Sequence, residues 1–300
     1  MNLKTAVKAL IPDSIFQRMR PWWERYKEHL FSNQGTTQIT IGDYQLEVPA
    51  SHPLKALIQD APCRDVGIGI IARHAGEKYP DQAIIDIGAN VGDSAALIAS
   101  HCTNDLILIE ASDYYFPFLE KNTAHYRNHI TLEKTLLSDG GAVTGQLQHW
   151  GGTAFFSEGE GSQCIQTRRL MSITPRDVCF IKSDTDGFDF KILLDSLEWL
   201  AVQRPVLLFE DQILTSEDIS TANHLCDELA GIGYRHFIVW DDAGRLILTT
   251  NTVETLHQLH RYLYNIRHSS RSHLISNYDV ACFHTDDRDL FEKVCSTYPK

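Results

Sequence analysis

The sequence predicts an α/β fold built on an open, mostly parallel sheet with helices on both faces. Three observations predict it. Short apolar runs alternate with helix-like stretches from Ala83 onward, most of those runs are apolar at every position, and the first of them ends in a glycine-rich turn. A strand buried on both faces reads as a continuous apolar run, and strand–helix alternation implies βαβ units.

Taken in order, residues 1–36 read as a helical, somewhat basic extension. Lys4, Lys8, Arg18, Arg20, Arg25 and Lys27 supply charge, and Leu3, Leu10, Ile11 and Trp22-Trp23 supply apolar surface. The favoured reading is a helix packed on the domain. The other is weak peripheral contact with an anionic membrane. Residues 37–300 form one domain. Thr37 to Val48 alternates around Gly42-Asp43 as a hairpin, and Val66 to His74 has helical spacing. The expected core strands are Ala83–Ile87, Leu106–Ile109, Ile130–Leu132, Val178–Ile181, Val206–Phe209, Phe237–Trp240 and Tyr278–Phe283. Phe237 to Thr249 reads as a hairpin around Asp241-Asp242-Ala243-Gly244, so the late strands are antiparallel. Val253 to Ile266 reads as a helix.

Bulk properties narrow the function. The chain has 300 residues, 43% of them hydrophobic, which supports a substantial core. A formal net charge of -12 disfavours nucleic acid as a partner. The seven Cys contain no C-x-x-C pair, which argues against a zinc site and a disulfide framework. No apolar run reaches the ~20 residues of a transmembrane helix, and no secretory signal is evident, so the expectation is a cytoplasmic protein. Oligomeric state is not legible.

The first chemical motif is Asp86-Ile87-Gly88-Ala89-Asn90-Val91-Gly92-Asp93. In open α/β sheets ligands bind beyond the carboxyl ends of the strands. Small residues let the backbone turn sharply there, and a helix starting near Asp93-Ser94 offers free N–H groups. One strand later, Leu106–Ile109 stops at Glu110, about 20 residues past the glycines, where a carboxylate can accept ribose hydroxyls. A dinucleotide fingerprint needs G-x-G-x-x-G, but position 90 is Asn. Asp86 and Asp93 would repel a diphosphate and suit a cationic sulfonium ligand.

The second motif is Lys182-Ser183-Asp184-Thr185-Asp186-Gly187-Phe188-Asp189, at the end of the Val178–Ile181 strand. Asp184 is the candidate proton acceptor or acceptor-orienting group. Lys182 is the candidate to stabilise alkoxide charge, with an Asp186–Lys182 ion pair as the alternative. Asp184, Glu210 and Asp211 could together hold a divalent cation. Hydrogen bonding to loops or acceptor hydroxyls is the favoured reading, so no metal is assigned. His149-Trp150-Gly151-Gly152 reads as a loop able to cover the acceptor. Arg168, Arg169, Arg267, His268, Arg271 and His273 read as solvated charge.

Together these two motifs resemble the FkbM family of methyltransferases, with its D-x-G-A-N-x-G turn and later K-x-D-x-[DE]-G segment. Glu110, Lys121-Asn122, Ser138-Asp139 and Phe209-Glu210 match further family positions. The resemblance implies a class I methyltransferase fold: a Rossmann-like, seven-stranded, mostly parallel sheet with one antiparallel C-terminal strand. It implies S-adenosyl-L-methionine as cofactor. Asp86, Gly88, Asn90 and Gly92 would line its methionine end, beside Ala89, Asp93 and Ser94. Glu110 and Ala111 would lie at the ribose, and Ser138 and Asp139 near the adenine. The implied activity is O-methylation of a sugar, glycan or small metabolite. Two other readings stay open: a nicotinamide-dependent oxidoreductase, which the missing glycine opposes, and a non-catalytic module, which the intact motifs oppose.

Overall fold

The computed structural model describes residues 35–150, 152–157, 163–174, 176–269 and 275–298. The segment 1–36 that the sequence reads as helical lies outside them except for its last two positions, as do Arg271 and His273. The described chain opens with a hairpin of β1 (Thr36–Ile41) and β2 (Tyr44–Pro49), turning at Gly42-Asp43 as expected. Helices α1 (Leu54–Asp60) and α2 (Val66–Lys78) lead to the first core strand, β3 (Ala83–Ile87). Then follow α3 (Asp93–His101), β4 (Leu106–Ile109), α4 (Phe116–Thr123) and β5 (Ile130–Glu133).

A smaller sheet is inserted next. It is built from β6 (Leu136–Leu137), β7 (Ala142–Trp150), β8 (Thr153–Ser157) and β9 (Gln163–Arg168), in the order β6-β9-β7-β8. The chain re-enters the main sheet at β10 (Val178–Ser183) and continues through α5 (Asp189–Leu194), α6 (Leu197–Gln203), β11 (Val206–Asp211) and α7 (Ser216–Gly231). It ends with β12 (Tyr234–Asp241), β13 (Leu246–Thr250), α8 (Val253–Arg267), β14 (Tyr278–His284) and α9 (Arg288–Thr297).

The main sheet has the order β13-β12-β14-β11-β10-β3-β4-β5. The five strands from β11 to β5 are parallel, and β14 inserts antiparallel between β11 and β12. This is the class I methyltransferase order with one addition. The expected count of seven is corrected to eight, because the β12–β13 hairpin pairs its second arm onto the sheet edge. Asp241 Oδ1 sets that turn by accepting from the N–H of Ala243 (3.0 Å) and of Arg245 (2.8 Å). The edge arm is largely exposed, as an edge strand tolerates.

Side chains alternate between two apolar layers. Ile84, Leu106, Phe180 and Leu208 face the layer under α2, α3 and α9, whereas Ile85, Ile107, Ile181 and Leu207 face the layer under α5, α7 and α8. This period of two is what buries every residue of β3 and β4. Both chemical motifs leave these buried strands at one sheet edge: β3 and β10 are neighbours, with Asp86 opposite Lys182.

Candidate active site

The glycine turn leaves β3 with Gly88 (φ 75°), Asn90 (φ 48°) and Gly92 (φ 90°) all left-handed. Gly88 is required twice over. Its φ is costly for other residues, and a Cβ there would sit 1.9 Å from the Asp184 carbonyl oxygen. Glu110 ties the turn to the next strand: its carboxylate accepts from the N–H of Asn90 (2.8 Å) and of Ser112 (2.7 Å). Burial raises the Glu110 pKa, and those two donors offset part of the rise. Asn122 holds the turn from behind, donating to the carbonyls of Val91 (2.8 Å) and Glu47 (2.9 Å).

Beneath the turn lies a buried charged pair. Asp86 is fully buried and accepts from the Ser94 hydroxyl at 2.5 Å. Lys182 Nζ stands 3.3 Å from Asp86 Oδ1 and 3.6 Å from Asp184 Oδ2, and donates to the Gly88 carbonyl at 3.4 Å. Burial alone would lower the Lys182 pKa, but Asp86 and Asp184 with Asp93 and Asp65 outweigh it and hold the ammonium charged. The alternative Asp186–Lys182 pair does not form; Lys182 pairs with Asp86 and Asp184 instead. Asp186 (φ 52°) turns away and accepts from the Thr153 hydroxyl. Burial and then Asp184 push its pKa up to about 7.

Two cavities open at this edge. The larger spans about 570 Å3, part of it open to solvent, and runs from Gly88 and Asn90 past Glu110 and Ala111 to Leu136 and Leu137, with Asp184, Thr185 and Asp186 along one side. Leu147, Thr153, Ala154 and Phe156 of the inserted sheet cover it. The smaller, of about 400 Å3, lies across Lys182 and is lined by Asp65, Asp184, Glu210, Trp240, Asp279 and Tyr298 among others. Among the described residues, Asp184 alone lines both.

The FkbM methyltransferase domain matches residues 86–236, half of the chain. The chain belongs to the FkbM methyltransferase family. Its similarity to solved structures is distant. A methyltransferase FkbM from Methylobacillus flagellatus KT shares 14% identity over 68% of this chain and 44% of its own, with a TM-score of 0.36. This FkbM chain therefore spans less than half of that relative. TYW2 from M. jannaschii, solved with AdoMet, shares 10% identity over 82% of this chain and 84% of its own, with a TM-score of 0.43. The precorrin-6y C5,15-methyltransferase from Geobacter metallireducens GS-15 shares 12% over 68% and 81%, with a TM-score of 0.34. No curated protein matches the chain.

S-adenosylmethionine is the methyl donor of FkbM methyltransferases, and the larger cavity fits it. Asn90 Oδ1 and Thr185 Oγ1 line that cavity buried and without a described partner; Ser138 Oγ, one residue beyond the lining Leu137, is likewise buried and unpartnered but does not itself line it. Each Glu110 oxygen keeps a lone pair beyond its backbone donor. Of the residues expected at the cofactor, Gly88, Asn90, Glu110 and Ala111 line the cavity. Asp86, Ala89, Gly92, Asp93 and Ser94 do not: Ala89 packs in the core, and Asp86 and Ser94 bond each other below the turn. Asp139 points out, and its Oδ1 accepts from the N–H of Gly141 at 2.9 Å.

Further expectations are corrected. Asp211 does not join Asp184 and Glu210. It is buried on the opposite face, 2.7 Å from His260 Nε2. His149 and Trp150 are not in a loop over the acceptor. They end strand β7, where His149 stacks on Tyr114 at 4.2 Å, and their hairpin covers the larger cavity. Arg168 pairs with Glu133 (2.6 Å), and Arg267 donates to the Ser276 carbonyl (2.9 Å). Thr153, Phe156, Asp65, Trp240 and Asp279 were not anticipated. Only Asp279 left a signal, as a lone acid inside the apolar run Tyr278–Phe283.

Proposed function

We propose that the protein transfers a methyl group from S-adenosylmethionine to a hydroxyl of a sugar, glycan or small metabolite. The cofactor would occupy the larger cavity and the acceptor the smaller one. The observation that carries this reading is the position of Asp184 at the junction of the two.

Bound S-adenosylmethionine supplies an electrophilic methyl on a sulfonium, which leaves the protein the tasks of alignment and proton removal. Glu110 would take the ribose hydroxyls on its remaining lone pairs. Asn90 and Thr185 would take polar groups of the cofactor, and Leu136 and Leu137 would flank the adenine. Asp184, 52% exposed at the side chain, is free to accept a proton from the acceptor hydroxyl. Lys182 is a positioning residue in this reading: it is buried and fixes Asp184, Asp86 and the Gly88 carbonyl at once. Chemistry on oxygen is supported by the sequence after β10, Asp184-Thr185-Asp186-Gly187, which lacks the Asn/Asp-Pro-Pro-aromatic motif of amino-directed enzymes.

Calorimetric titration with S-adenosylhomocysteine and with NAD tests the cofactor. Binding of S-adenosylhomocysteine alone is expected, and binding of NAD alone overturns the reading. For the acceptor step, Asp184→Asn is expected to cut kcat by about 100-fold or more while leaving S-adenosylhomocysteine affinity within about twofold. Unchanged turnover removes Asp184 from the mechanism.

A further inference from the structure

The smaller cavity has a composition that O-methylation by itself does not call for. Its floor is a row of residues abreast across the sheet. Glu210 on β11 pairs with Asp279 on β14, which pairs with Trp240 on β12. Asp184 follows directly on Ser183, the partner of Phe209, and so continues the row at β10. Paired residues share a face of the sheet. Asp65 closes the cavity from the start of α2, in a left-handed conformation (φ 62°).

The charges in this cavity do not balance. Lys182 is its ammonium, and Asp86 and Asp184 already engage it. Among the described residues, no cation lies within ion-pair distance of Asp65, Glu210 or Asp279; the Arg64 charge acts on Asp65 and Asp279 only from farther off. Glu210 Oε2 is buried with no hydrogen bond at all. An isolated buried carboxylate is expensive unless a cation reaches it. Burial first, then the neighbouring acids, raises the pKa of all three, Asp65 to about 6.

A second feature points to a ligand independently of the acids. Trp240 is 2% exposed and lines the cavity, yet its indole Nε1–H has no partner among the described residues. A buried indole N–H ordinarily finds an acceptor. Trp240 and Tyr298 also present aromatic surface to the same space as the carboxyl groups. Acids and aromatic rings around one cavity suit an organic ammonium, through ion pairing and cation–π attraction. The indole donor calls in addition for an oxygen on the same molecule.

We infer that the methyl acceptor is an amine-bearing polyol, such as an amino sugar unit, whose ammonium is held by Asp65, Glu210 and Asp279 against Trp240 while a hydroxyl lies at Asp184. This rests on the methyltransferase reading above and names its substrate class. The step balances: the acceptor oxygen forms a C–O bond as the sulfonium C–S bond breaks. Its proton passes to Asp184, and S-adenosylhomocysteine leaves. The ammonium stays unmethylated because it is protonated and sits among the acids, away from the junction.

The test uses the full chain loaded with S-adenosylhomocysteine and three probes: methyl glucosaminide, its N-acetyl derivative and methyl glucoside. Binding is read by calorimetry or ligand-observed NMR. The free amine is expected to bind about tenfold tighter than either neutral probe. That preference is expected to fall to within about twofold in Asp279→Asn and in Glu210→Gln. Trp240→Phe keeps the ring and removes the N–H, and is expected to weaken the amine and methyl glucoside alike. Equal binding of the three probes, binding of none, or preference for a neutral probe overturns the inference. Loss of the preference through misfolding is excluded if the variants bind S-adenosylhomocysteine as the parent does. Failure of the parent itself to bind S-adenosylhomocysteine sinks the methyltransferase reading instead, so the two failures are distinguishable.

Discussion

Of the four described non-glycine residues with a left-handed backbone, Asn90, Asp186 and Asp65 line the two cavities, and the fourth, Arg204, caps α6. Such conformations cost free energy and persist where the surroundings over-determine them. At Asp186 the cost includes charge. Its pKa is pushed up to about 7 from an ordinary 3.8, so the folded state keeps a proton that the unfolded state releases earlier. Stability is therefore lost as pH rises from about 4 to 7. Asp186→Asn removes the titration and suits the left-handed backbone. Its melting temperature is expected to exceed that of the parent by a few degrees more at pH 8 than at pH 5. A pH-independent difference would show that the carboxyl ionises normally. Gly88→Ala places a methyl 1.9 Å from the Asp184 carbonyl. It is expected to cost about 2 kcal/mol or more in denaturant titration and to abolish S-adenosylhomocysteine binding.

At the scale of elements, the core strands were legible because burial on both faces leaves them uniformly apolar. Ala83–Ile87 and Leu106–Ile109 coincide with the sequence reading residue for residue. Strands β10, β11 and β14 run one to two residues longer than expected, since their last residues are polar; of these, Lys182, Ser183 and Glu210 line the smaller cavity, whereas Asp211 and His284 lie away from it. The inserted sheet was not legible. β7 mixes Gly145, Gln146, Gln148 and His149 into its alternation, which blurs the strand pattern ahead of Gly151-Gly152. What makes it a strand is long-range: Asn90 Nδ2 donates to the Gly152 carbonyl at 2.8 Å, and Phe156 packs edge-on to Phe188 at 5.6 Å. The hairpin of β7 and β8 thus borrows its order from the two motifs it covers. Backbone amides of β7 and β8 are expected to exchange with deuterium more slowly once S-adenosylhomocysteine is bound. Unchanged exchange would show that the hairpin does not close over the cofactor. The acid row failed to stand out for another reason. Glu210, Asp279 and Trp240 are spread over 70 residues, and only strand pairing sets them abreast.

For the molecule as a whole, the half of the sheet carrying β12, β13 and β14 is secured by a buried polar contact. His260 on α8 is fully buried, with Nε2 2.7 Å from Asp211 and Nδ1 2.7 Å from Asn223 on α7. Removing one partner strands the other away from water. His260→Ala is expected to cost about 3–5 kcal/mol by denaturant titration. The double variant with Asp211→Asn is expected to recover part of that loss, and strict additivity would show that the two residues do not interact.

Lys182 reaches the Gly88 carbonyl across 94 residues of chain, through the pairing of β3 with β10 at the centre of the sheet. Nothing local prepares this contact. The intervening helices and the inserted sheet must be looped out before it closes, the kind of non-local pairing that slows folding. A chain stalled short of that closure has neither cavity floor, so it cannot hold the cofactor. Cofactor at about 100 times its Kd then adds about 2.7 kcal/mol to the finished fold and nothing to its precursors. In a cell, the supply of methyl donor would set the lifetime of the protein as well as its turnover. Pulse proteolysis with and without S-adenosylhomocysteine measures that directly.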